Sequence, residues 1–267
     1  MNLLQRALLK SLLLSAAREH RRADRPLLAG YAFDQITLKM HLDGRFADGE
    51  LRALEEQLFP RLPQGGICLD IGANIGNHAV AFAAAFAHVH AFEPNPKALD
   101  LLRINAALRD NISVHATGLS DAPQTVEVIQ PAGNLGGTGM TAAFKDARDG
   151  ATGQRVELSL ERLDDLALGG PEGPLTFVKI DVEGHEEEVL AGAAETLSRD
   201  FPVLALEIDR RSVRDGTTPA VETARRLGYR HMAGLGRGPR PRFTPVERLA
   251  ARNYPLLLLS TGPLDLS

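Results

Sequence analysis

The chain of 267 residues contains no tryptophan, and aromatic residues make up only 5% of it. A stacking platform for a flat aromatic ligand is therefore not evident. Cysteine is nearly absent too, because Cys68 is the single one and lies in an apolar segment that we predict to be a core strand. A lone buried cysteine excludes a disulfide and argues against a cysteine-based metal site. No run approaches the roughly eighteen apolar residues of a membrane-spanning helix, so we expect no integral membrane segment.

An excess of positive charge is also lacking. The net charge is −4 and the isoelectric point is near 6.1, which gives no electrostatic reason to expect a nucleic-acid partner. Apolar residues make up 44% and charged residues 24%, as in ordinary globular proteins. The length suits one large α/β domain with a full core. We expect a cytoplasmic protein that acts on a small molecule.

The most informative segment is a glycine-bearing turn between an apolar strand and a helix. The strand is predicted over Ile67–Ile71, the turn covers residues 72–76, and the helix covers residues 77–87. Glycines permit positive φ angles and close approach of the backbone to a ligand. A second strand, His88–Phe92, leads to Glu93, which follows the first glycine by about 20 positions, the distance at which an acid can accept hydrogen bonds from both hydroxyls of a ribose. The segment predicts an adenosine-containing cofactor, and the alternative is that the glycines serve only tight packing.

Two residues favour S-adenosylmethionine over a nicotinamide dinucleotide. Dinucleotide sites place glycines in the order G-x-G-x-x-G so that helix amides face a pyrophosphate, but Asn74 takes the second glycine position here. Asp70 stands just ahead of the turn, where a carboxylate suits a ligand with an ammonium group better than one with two phosphates. We therefore expect S-adenosylmethionine as the cofactor, and a nicotinamide-dependent oxidoreductase remains an alternative.

Strands alternate with helices along most of the chain, which predicts an open, mostly parallel sheet with helices on both faces. Residues 32–42 mix β-branched and apolar side chains and favour a short strand or hairpin. Further strands are predicted over 112–116, Leu175–Ile180, Val203–Ile208, 229–233 and 254–259, and helices over 48–59, 96–109, 184–198 and 218–227.

This alternation is interrupted between two predicted paired strands, at residues 125–129 and 154–160. The intervening residues 131–153 are rich in glycine, threonine and alanine. A loop of this length in a compact domain is either functional or disordered. We predict a mobile flap over the cofactor.

A second group of chemistry-bearing residues follows the predicted strand Leu175–Ile180. Asp181 ends that strand, and ligands of such sheets bind beyond the carboxyl ends of strands. A carboxylate there can orient or deprotonate a substrate hydroxyl, and His185 and Glu183 are further candidates for the base. Helix capping is the alternative role for both acids, and a solvated position on a helix face is the alternative for the histidine. A metal site at these three residues is another alternative, but no second segment clearly supplies ligands, so we predict no metal.

The first 22 residues place leucines at helical spacing, which predicts an amphipathic helix. Arg6 and Lys10 interrupt the leucines, and the short apolar stretch does not fit a signal peptide. Three interpretations remain open: packing on the domain or on a partner subunit in a homo-oligomer, contact with a membrane surface, and a partly ordered tail. A basic cluster follows the leucines and consists of Arg18, Arg21, Arg22 and Arg25.

Several motifs together resemble the FkbM-type S-adenosylmethionine-dependent methyltransferases. They are the segment from Asp70 to His78, Phe92-Glu93-Pro94, Asn105, Gly118-Leu119-Ser120-Asp121, Asn134 with Gly136, the segment from Lys179 to Glu186, and Leu206-Glu207-Ile208. The resemblance covers residues 45–210. It implies an α/β class I methyltransferase fold, which is Rossmann-like, with a seven-stranded, mostly parallel sheet in the order 3-2-1-4-5-7-6, an antiparallel last strand and helices on both faces. It also implies methylation of oxygen, commonly on sugars or on polyketide and peptide natural products.

The resemblance and the residues together assign expected roles. Asp70 and the glycine turn would hold the methionine end of the cofactor, Glu93 its ribose, and Pro94 its adenine ring. The expected base is Asp181, followed by His185 and then Glu183. The expected cofactor-binding set is Asp70, Gly72, Ala73, Asn74, Gly76, Asn77, Glu93, Pro94, and, at the adenine edge, Ser120 and Asp121.

We expect two regions in the chain. Residues 1–45 would form an N-terminal helical extension, and residues 46–267 the methyltransferase domain with its flap at 131–153. The segments before residue 46 and after residue 211 contain no family motif, and we expect them to determine the substrate specificity. A non-catalytic module that binds the cofactor as a scaffold is the remaining alternative to an enzyme.

Overall fold

The computed structural model describes residues 1–23, 25–32, 34–131, 153–166, 168 and 173–266. Its helices, in chain order, are α1 (Leu3–Arg22), α2 (Gln35–Asp43), α3 (Asp48–Gln57), α4 (Asn77–Phe82), α5 (Pro96–Ala106), α6 (Glu186–Ala191), α7 (Ala194–Asp200) and α8 (Pro219–Arg226). Its strands are β1 (Ile67–Ile71), β2 (His88–Phe92), β3 (Ile112–His115), β4 (Gly118–Leu119), β5 (Gln124–Pro131), β6 (Gly153–Glu161), β7 (Leu175–Ile180), β8 (Val203–Ile208), β9 (His231–Leu235), β10 (Phe243–Pro245) and β11 (Tyr254–Ser260).

Within the described residues, eight strands form the larger sheet, in the order β10-β9-β11-β8-β7-β1-β2-β3. Strand β1 is parallel to β2 and β7, whereas β11 is antiparallel to β8 and β9. The α/β class and the antiparallel last strand are confirmed. The expected count of seven is wrong, because β10 adds an edge strand beside β9; the other seven follow the expected order. A three-residue strand is too short to leave a pattern in the sequence.

Two apolar cores lie on opposite faces of the larger sheet. Side chains alternate between the faces of a strand, and accordingly Leu69 and Ile71 of β1 belong to one core and Cys68 to the other. Strands that are buried on both faces consist of nearly continuous apolar runs. This explains why the predicted bounds of β1, β2, β7 and β8 agree with the structure.

A smaller sheet has the strand order β4-β6-β5. Strands β5 and β6 pair antiparallel from Gln124 opposite Leu160 to Pro131 opposite Gly153. The predicted pairing is confirmed, although both strands are longer than predicted. The predicted flap between them, with Asn134 and Gly136, lies outside the described residues except for its two ends.

The predicted strand or hairpin over residues 32–42 is wrong, because this segment forms helix α2. The Asp34 side chain caps the helix by accepting a hydrogen bond of 2.9 Å from the Ile36 backbone N–H. Ile36 is buried and belongs to a small cluster with Ile75 and Leu101. Capping and tertiary packing therefore outweigh the strand preference of the β-branched residues.

Two predicted helices differ from the observed ones. The predicted helix over residues 184–198 is two helices, α6 and α7, which are separated at Gly192. A Cβ atom at Gly192 would lie 1.9 Å from the carbonyl oxygen of Ser120, so the chain passes directly against the backbone that follows β4. The helix predicted over residues 77–87 ends at Phe82, and turns follow it.

Helix α1 contains no buried residue. The interpretation that its leucines pack on the domain is therefore wrong. Among the described residues, the longest helices are still too polar or too short to cross a bilayer.

The segment between α1 and α2 is fixed to the domain by Asn105. The Nδ2 atom of this fully buried residue donates hydrogen bonds to the carbonyl oxygens of Ala29 at 3.0 Å and Ile75 at 2.7 Å. Its Oδ1 atom accepts a hydrogen bond of 2.7 Å from the Ala29 backbone N–H. One side chain therefore ties the N-terminal extension to the glycine turn.

Candidate functional site

A cavity of about 350 Å³ lies at the carboxyl ends of the central strands, the edge at which sheets of this kind bind ligands. Eight of the predicted site residues line it: Gly72, Ala73, Asn74, Asn77, Glu93, Pro94, Asp181 and Glu183. Five do not: Asp70, Gly76, Ser120, Asp121 and His185. The N-terminal extension also lines the cavity, through Asp34, Gln35, Ile36 and Lys39.

The glycine turn brings the backbone of β1 close to that of β7. Gly72 has a φ of +81°, and a Cβ atom there would lie 1.9 Å from the carbonyl oxygen of Asp181. The N–H groups of Gly72 and Ala73 both donate hydrogen bonds to the carbonyl oxygen of Phe92, at 3.0 and 2.9 Å. Only glycine fits at position 72, because any side chain would collide with the end of β7. Gly76 serves packing, since a Cβ atom there would lie 2.8 Å from the Cδ1 atom of Leu102.

Glu93 is held with its carboxylate at the cavity. Its Oε2 atom accepts a hydrogen bond of 2.9 Å from the Asn74 N–H, and its Oε1 atom accepts one of 2.8 Å from the Asn95 N–H. Burial raises the pKa of Glu93 to about 7, although the two N–H groups favour the ionised form. Each carboxylate oxygen keeps a lone pair for a further donor. The arrangement can therefore accept hydrogen bonds from two neighbouring hydroxyl groups.

Asp70 lies beneath the cavity and is fully buried. Its Oδ1 atom is 3.7 Å from Nζ of Lys179, the residue opposite it in the register of β1 and β7. Burial raises the pKa of Asp70, while the charge of Lys179 and the Ala79 backbone N–H oppose this shift. Asp70 does not line the cavity, but both of its carboxylate oxygens are buried without a hydrogen-bond partner among the described residues, so its predicted role at the ammonium group stays a prediction. Lys179 lies between Asp70 and Asp181, and Asp181 lines the cavity.

Asp181, unlike Asp70, lines the cavity. Its Oδ2 atom accepts a hydrogen bond of 3.0 Å from Nζ of Lys179. Burial would raise the pKa of Asp181, but the Lys179 charge and a hydrogen bond from Glu207 outweigh it and hold the pKa below its usual value. The pKa of Glu207 is raised to about 9 by desolvation and by the negative charge of Asp181. These opposite pKa shifts favour an ionised Asp181 beside a protonated Glu207.

His185, Ser120 and Asp121 form a separate group. The Nε2 atom of His185 lies 2.9 Å from Oγ of Ser120, which also donates to Oδ1 of Asp121 at 3.1 Å. The Nδ1 atom of His185 is 3.4 Å from Glu188. The ring is thus engaged on both sides and does not line the cavity, which argues against its predicted role as a base. Ser120 is fully buried, so it does not offer its hydroxyl to an adenine edge in this arrangement.

Glu183 lines the cavity from the loop after β7, where it has a φ of +54°. Desolvation and the nearby charges of Asp181 and Asp209 raise its pKa. The three residues of the alternative metal site do not converge, because His185 turns to Ser120. Within the part of the chain that the structure describes, no group of three or more His, Cys, Asp or Glu residues is arranged to hold a metal ion.

Polar atoms around the turn include some that sequence reasoning missed. Nε2 of His78 and the Oδ1 atoms of Asn74 and Asn77 are buried without a hydrogen-bond partner among the described residues. Burial and the charge of Lys179 lower the pKa of His78 to about 3, so its ring is neutral and can exchange a hydrogen bond with a ligand. Its place directly after Asn77 in the family motif was the available signal. Unpartnered buried polar atoms at a cavity mark places that a polar ligand can satisfy.

The family profile of the methyltransferase FkbM domain matches residues 70–230, which is more than half of the chain. The chain belongs to the FkbM methyltransferase family. The resemblance seen in the motifs is thereby confirmed, and the protein is a methyltransferase by family. The FkbM match begins at Asp70, so α1, α2 and α3 lie outside it.

Individual proteins that are similar to the chain share less than a third of their aligned residues with it. The 31-O-demethyl-FK506 methyltransferase FkbM of Streptomyces tacrolimicus is 29% identical over 222 residues, which are 72% of this chain and 82% of that protein. Hexuronic acid methyltransferase AglP of Haloferax volcanii is 30% identical over 140 residues, which are 52% of this chain and 55% of that protein. Among solved structures, methyltransferase FkbM from Methylobacillus flagellatus KT has a TM-score of 0.46 and 20% identity, and the match covers 73% of this chain and 43% of that chain. The chain thus spans about half the length of the last two proteins.

Proposed function

We propose that this protein is an S-adenosylmethionine-dependent O-methyltransferase that acts on a hydroxyl group of a sugar or a natural-product small molecule. The methyltransferase family supports the reaction. The name of one relative, a 31-O-demethyl-FK506 methyltransferase, supports oxygen as the methylated atom. That name and the name of a second relative, a hexuronic acid methyltransferase, support this class of acceptor.

The main support for the proposed cofactor is the position of the Glu93 carboxylate. Its carboxylate is fixed by the Asn74 and Asn95 N–H groups at the end of β2, and this geometry suits the two hydroxyls of a ribose. Nicotinamide dinucleotide sites also place an acid at the ribose, but the methyltransferase family and Asn74 at the second glycine position disfavour that cofactor here. The proposed cofactor carries a positive sulfonium and no phosphate.

Other residues of the cavity fit the same cofactor. The unpartnered Oδ1 atoms of Asn74 and Asn77 can accept hydrogen bonds from its ammonium group. Gly72 lines the cavity with its backbone, where the methionine end can lie, and Pro94 lies at the cavity beside Glu93, where it can pack on the adenine ring. When bound, the cofactor supplies an electrophilic methyl group.

Asp181 is the proposed partner of the acceptor hydroxyl. It is ionised and held by Lys179 and Glu207, so it can accept the hydroxyl hydrogen bond and fix the direction of the oxygen lone pair. A lowered pKa makes it a weak base, and we therefore assign most of its effect to orientation. Well-oriented reactants can gain about 7–11 kcal/mol.

The N-terminal extension is proposed to form the side of the cavity that contacts the methyl acceptor. Asp34, Gln35 and Lys39 of the α2 region line the cavity but lie outside the family match. We assign residues 1–45 to acceptor choice and residues 46–267 to the methyltransferase domain. We also propose a cytoplasmic location, a small-molecule acceptor and no nucleic-acid partner.

Titration calorimetry on the full chain tests the cofactor. S-adenosylmethionine and its demethylated product are expected to bind, and NAD is not. Glu93→Gln is expected to weaken binding by at least tenfold, because hydrogen bonds to a charged group contribute about 1.5–3 kcal/mol each. Glu56→Gln, an exposed substitution on α3, is the matched control and should bind as the unaltered chain does. Equal affinity of the two variants would contradict the assignment of Glu93.

Transfer of a labelled methyl group to a panel of sugars and hydroxylated natural products tests catalysis. Label in an acceptor supports the enzyme. Binding without transfer to any acceptor supports the scaffold alternative instead.

A further inference from the structure

Exposed apolar side chains are concentrated in the N-terminal extension. The seven leucines of α1 range from 41% to 85% exposed, and no residue of this helix is buried. Leu27, Leu38 and Leu42 of the same extension are exposed as well. Soluble monomers rarely display a contiguous apolar surface of this kind unless it serves an interaction. The α1 leucines are Leu3, Leu4, Leu8, Leu9, Leu12, Leu13 and Leu14.

The charge of α1 is of one sign along most of its length. Residues 1–18 contain no Asp or Glu, and their charged side chains are Arg6, Lys10 and Arg18. Arg21 and Arg22 follow at the end of the helix, where Glu19 is its single acid. The whole chain has a net charge of −4, so this positive charge is local. It is complementary to an anionic surface.

Helix α1 is attached to the domain without being packed into it. A cavity of about 750 Å³ separates its second half from α2 and α4, with Leu13 and Ala17 on one side and Val80 on another. The ring nitrogens of His20 lie 3.0 and 3.1 Å from the backbone oxygens of Gly44 and Pro26. The basic end of α1 is therefore tied to the domain, while exposure increases toward Leu3 and Leu4.

We propose that α1 docks the protein on the surface of an anionic lipid bilayer. Its leucines would enter the boundary between headgroups and acyl chains, and its arginines would meet lipid phosphates. Arg6 and Lys10, the charges within the leucine-rich part, have long side chains that can extend back to the headgroups.

The leucine pattern favours a lipid surface over a second copy of the chain. Residues four apart share one side of a helix, and the leucines form three adjoining rows: Leu4, Leu8 and Leu12; Leu9 and Leu13; and Leu3 with Leu14. A partner helix covers a narrow stripe of its neighbour, which would leave leucines in water. A second copy also brings a second set of arginines, whereas an anionic bilayer supplies the opposite charge.

Co-sedimentation with lipid vesicles tests the proposal on the full chain. We expect binding to vesicles of phosphatidylcholine mixed with phosphatidylglycerol, weaker binding at high salt, and much weaker binding to phosphatidylcholine alone. The double variant Leu8→Ser with Leu12→Ser should bind at least tenfold more weakly, because it removes apolar area from the lipid. Arg18→Ser with Arg21→Ser and Arg22→Ser should lose most of the preference for anionic vesicles. Arg237→Ser with Arg240→Ser, at exposed arginines far along the chain, is the matched control and should bind normally.

Two results would overturn the proposal. One is that the unaltered chain does not sediment with anionic vesicles, or that the leucine variant sediments with them equally well. The other is a stable dimer in light scattering that the leucine variant converts to a monomer, together with no vesicle binding. Hydrogen exchange of the α1 amides in the unaltered chain gives a readout that needs no variant: the amides should become protected when anionic vesicles are added, and unchanged exchange would count against docking.

Discussion

The ammonium group of Lys179 donates a hydrogen bond of 3.0 Å to Oδ2 of Asp181. The same group lies 3.7 Å from Oδ1 of Asp70, so one buried cation compensates two acids at the ends of adjacent strands. Removing one member of a buried ion pair is more damaging than replacing the whole pair, because the remaining charge stays buried.

Lys179→Met is therefore expected to lower the free energy of unfolding by about 3–5 kcal/mol. Urea denaturation followed by circular dichroism measures the loss. Lys97→Met, at an exposed lysine, is the control and should change stability by less than about 0.5 kcal/mol. A Lys179 variant as stable as the control would show that the two acids do not depend on this cation.

Gly72→Ala separates a steric conflict from backbone strain. Gly72 and Gly65 both have positive φ, at +81° and +74°, but only at Gly72 would the new Cβ meet a backbone atom. Gly65→Ala should lose about 1–2 kcal/mol from strain alone. Gly72→Ala should lose clearly more and should also weaken cofactor binding, because β1 and β7 must move apart. Urea denaturation and calorimetry check both, and equal losses would mean that the contact with Asp181 is relieved without consequence.

Asn105→Ala removes three hydrogen bonds that join Ala29 and Ile75 to α5. Leaving buried backbone groups unpaired costs about 1–3 kcal/mol, and we expect a loss of stability in this range. The segment before α2 should also become more sensitive to a protease. Limited proteolysis with mass spectrometry detects the cleavage sites, with Glu56→Ala, an exposed substitution on α3, as the control. If residues 25–32 stay equally protected from the protease, Asn105 does not hold this segment on the domain.

The pH dependence of stability should carry a contribution from Glu93. Burial raises its pKa from 4.5 to about 7, so the folded state binds this proton more tightly than the unfolded state. The contribution of Glu93 to the free energy of unfolding is fully present below pH 4.5 and is lost as the pH rises through 7. Glu93→Gln does not titrate, and the stability of the unaltered chain relative to it should fall by on the order of 3 kcal/mol between these limits. Urea denaturation across the range measures this difference, and a constant difference would rule out the raised pKa.

The central strands could be predicted from the sequence because burial on both faces leaves unbroken apolar runs. The position of Glu93 followed from the spacing between the glycine turn and the next strand end. These are local patterns, and the fold preserves them. The added strand β10 and the helix α2 depend on contacts with distant residues, which is why the same reasoning missed β10 and assigned a strand to α2.

The candidate site was harder to predict than the fold. Asp70 was expected to touch a ligand, yet the register of β1 and β7 places it opposite Lys179. A register is set by the whole sheet and cannot be derived from one segment. His185 was likewise expected at the cavity, but the break at Gly192 and the path after β4 bring it to Ser120. His78 was overlooked because a histidine in an apolar helix usually belongs to the core.

The three hydrogen bonds of the Asn105 side chain also have a consequence for the order in which the chain folds. Ala29 and Asn105 are 76 positions apart, and closing so large a loop is entropically unfavourable until both ends have a surface to join. Ile75 and α5 come together over a shorter separation of 30 positions, so they can collapse first and present the amide. The extension would then dock last, and a kinetic experiment should find its protection appearing after that of the central strands.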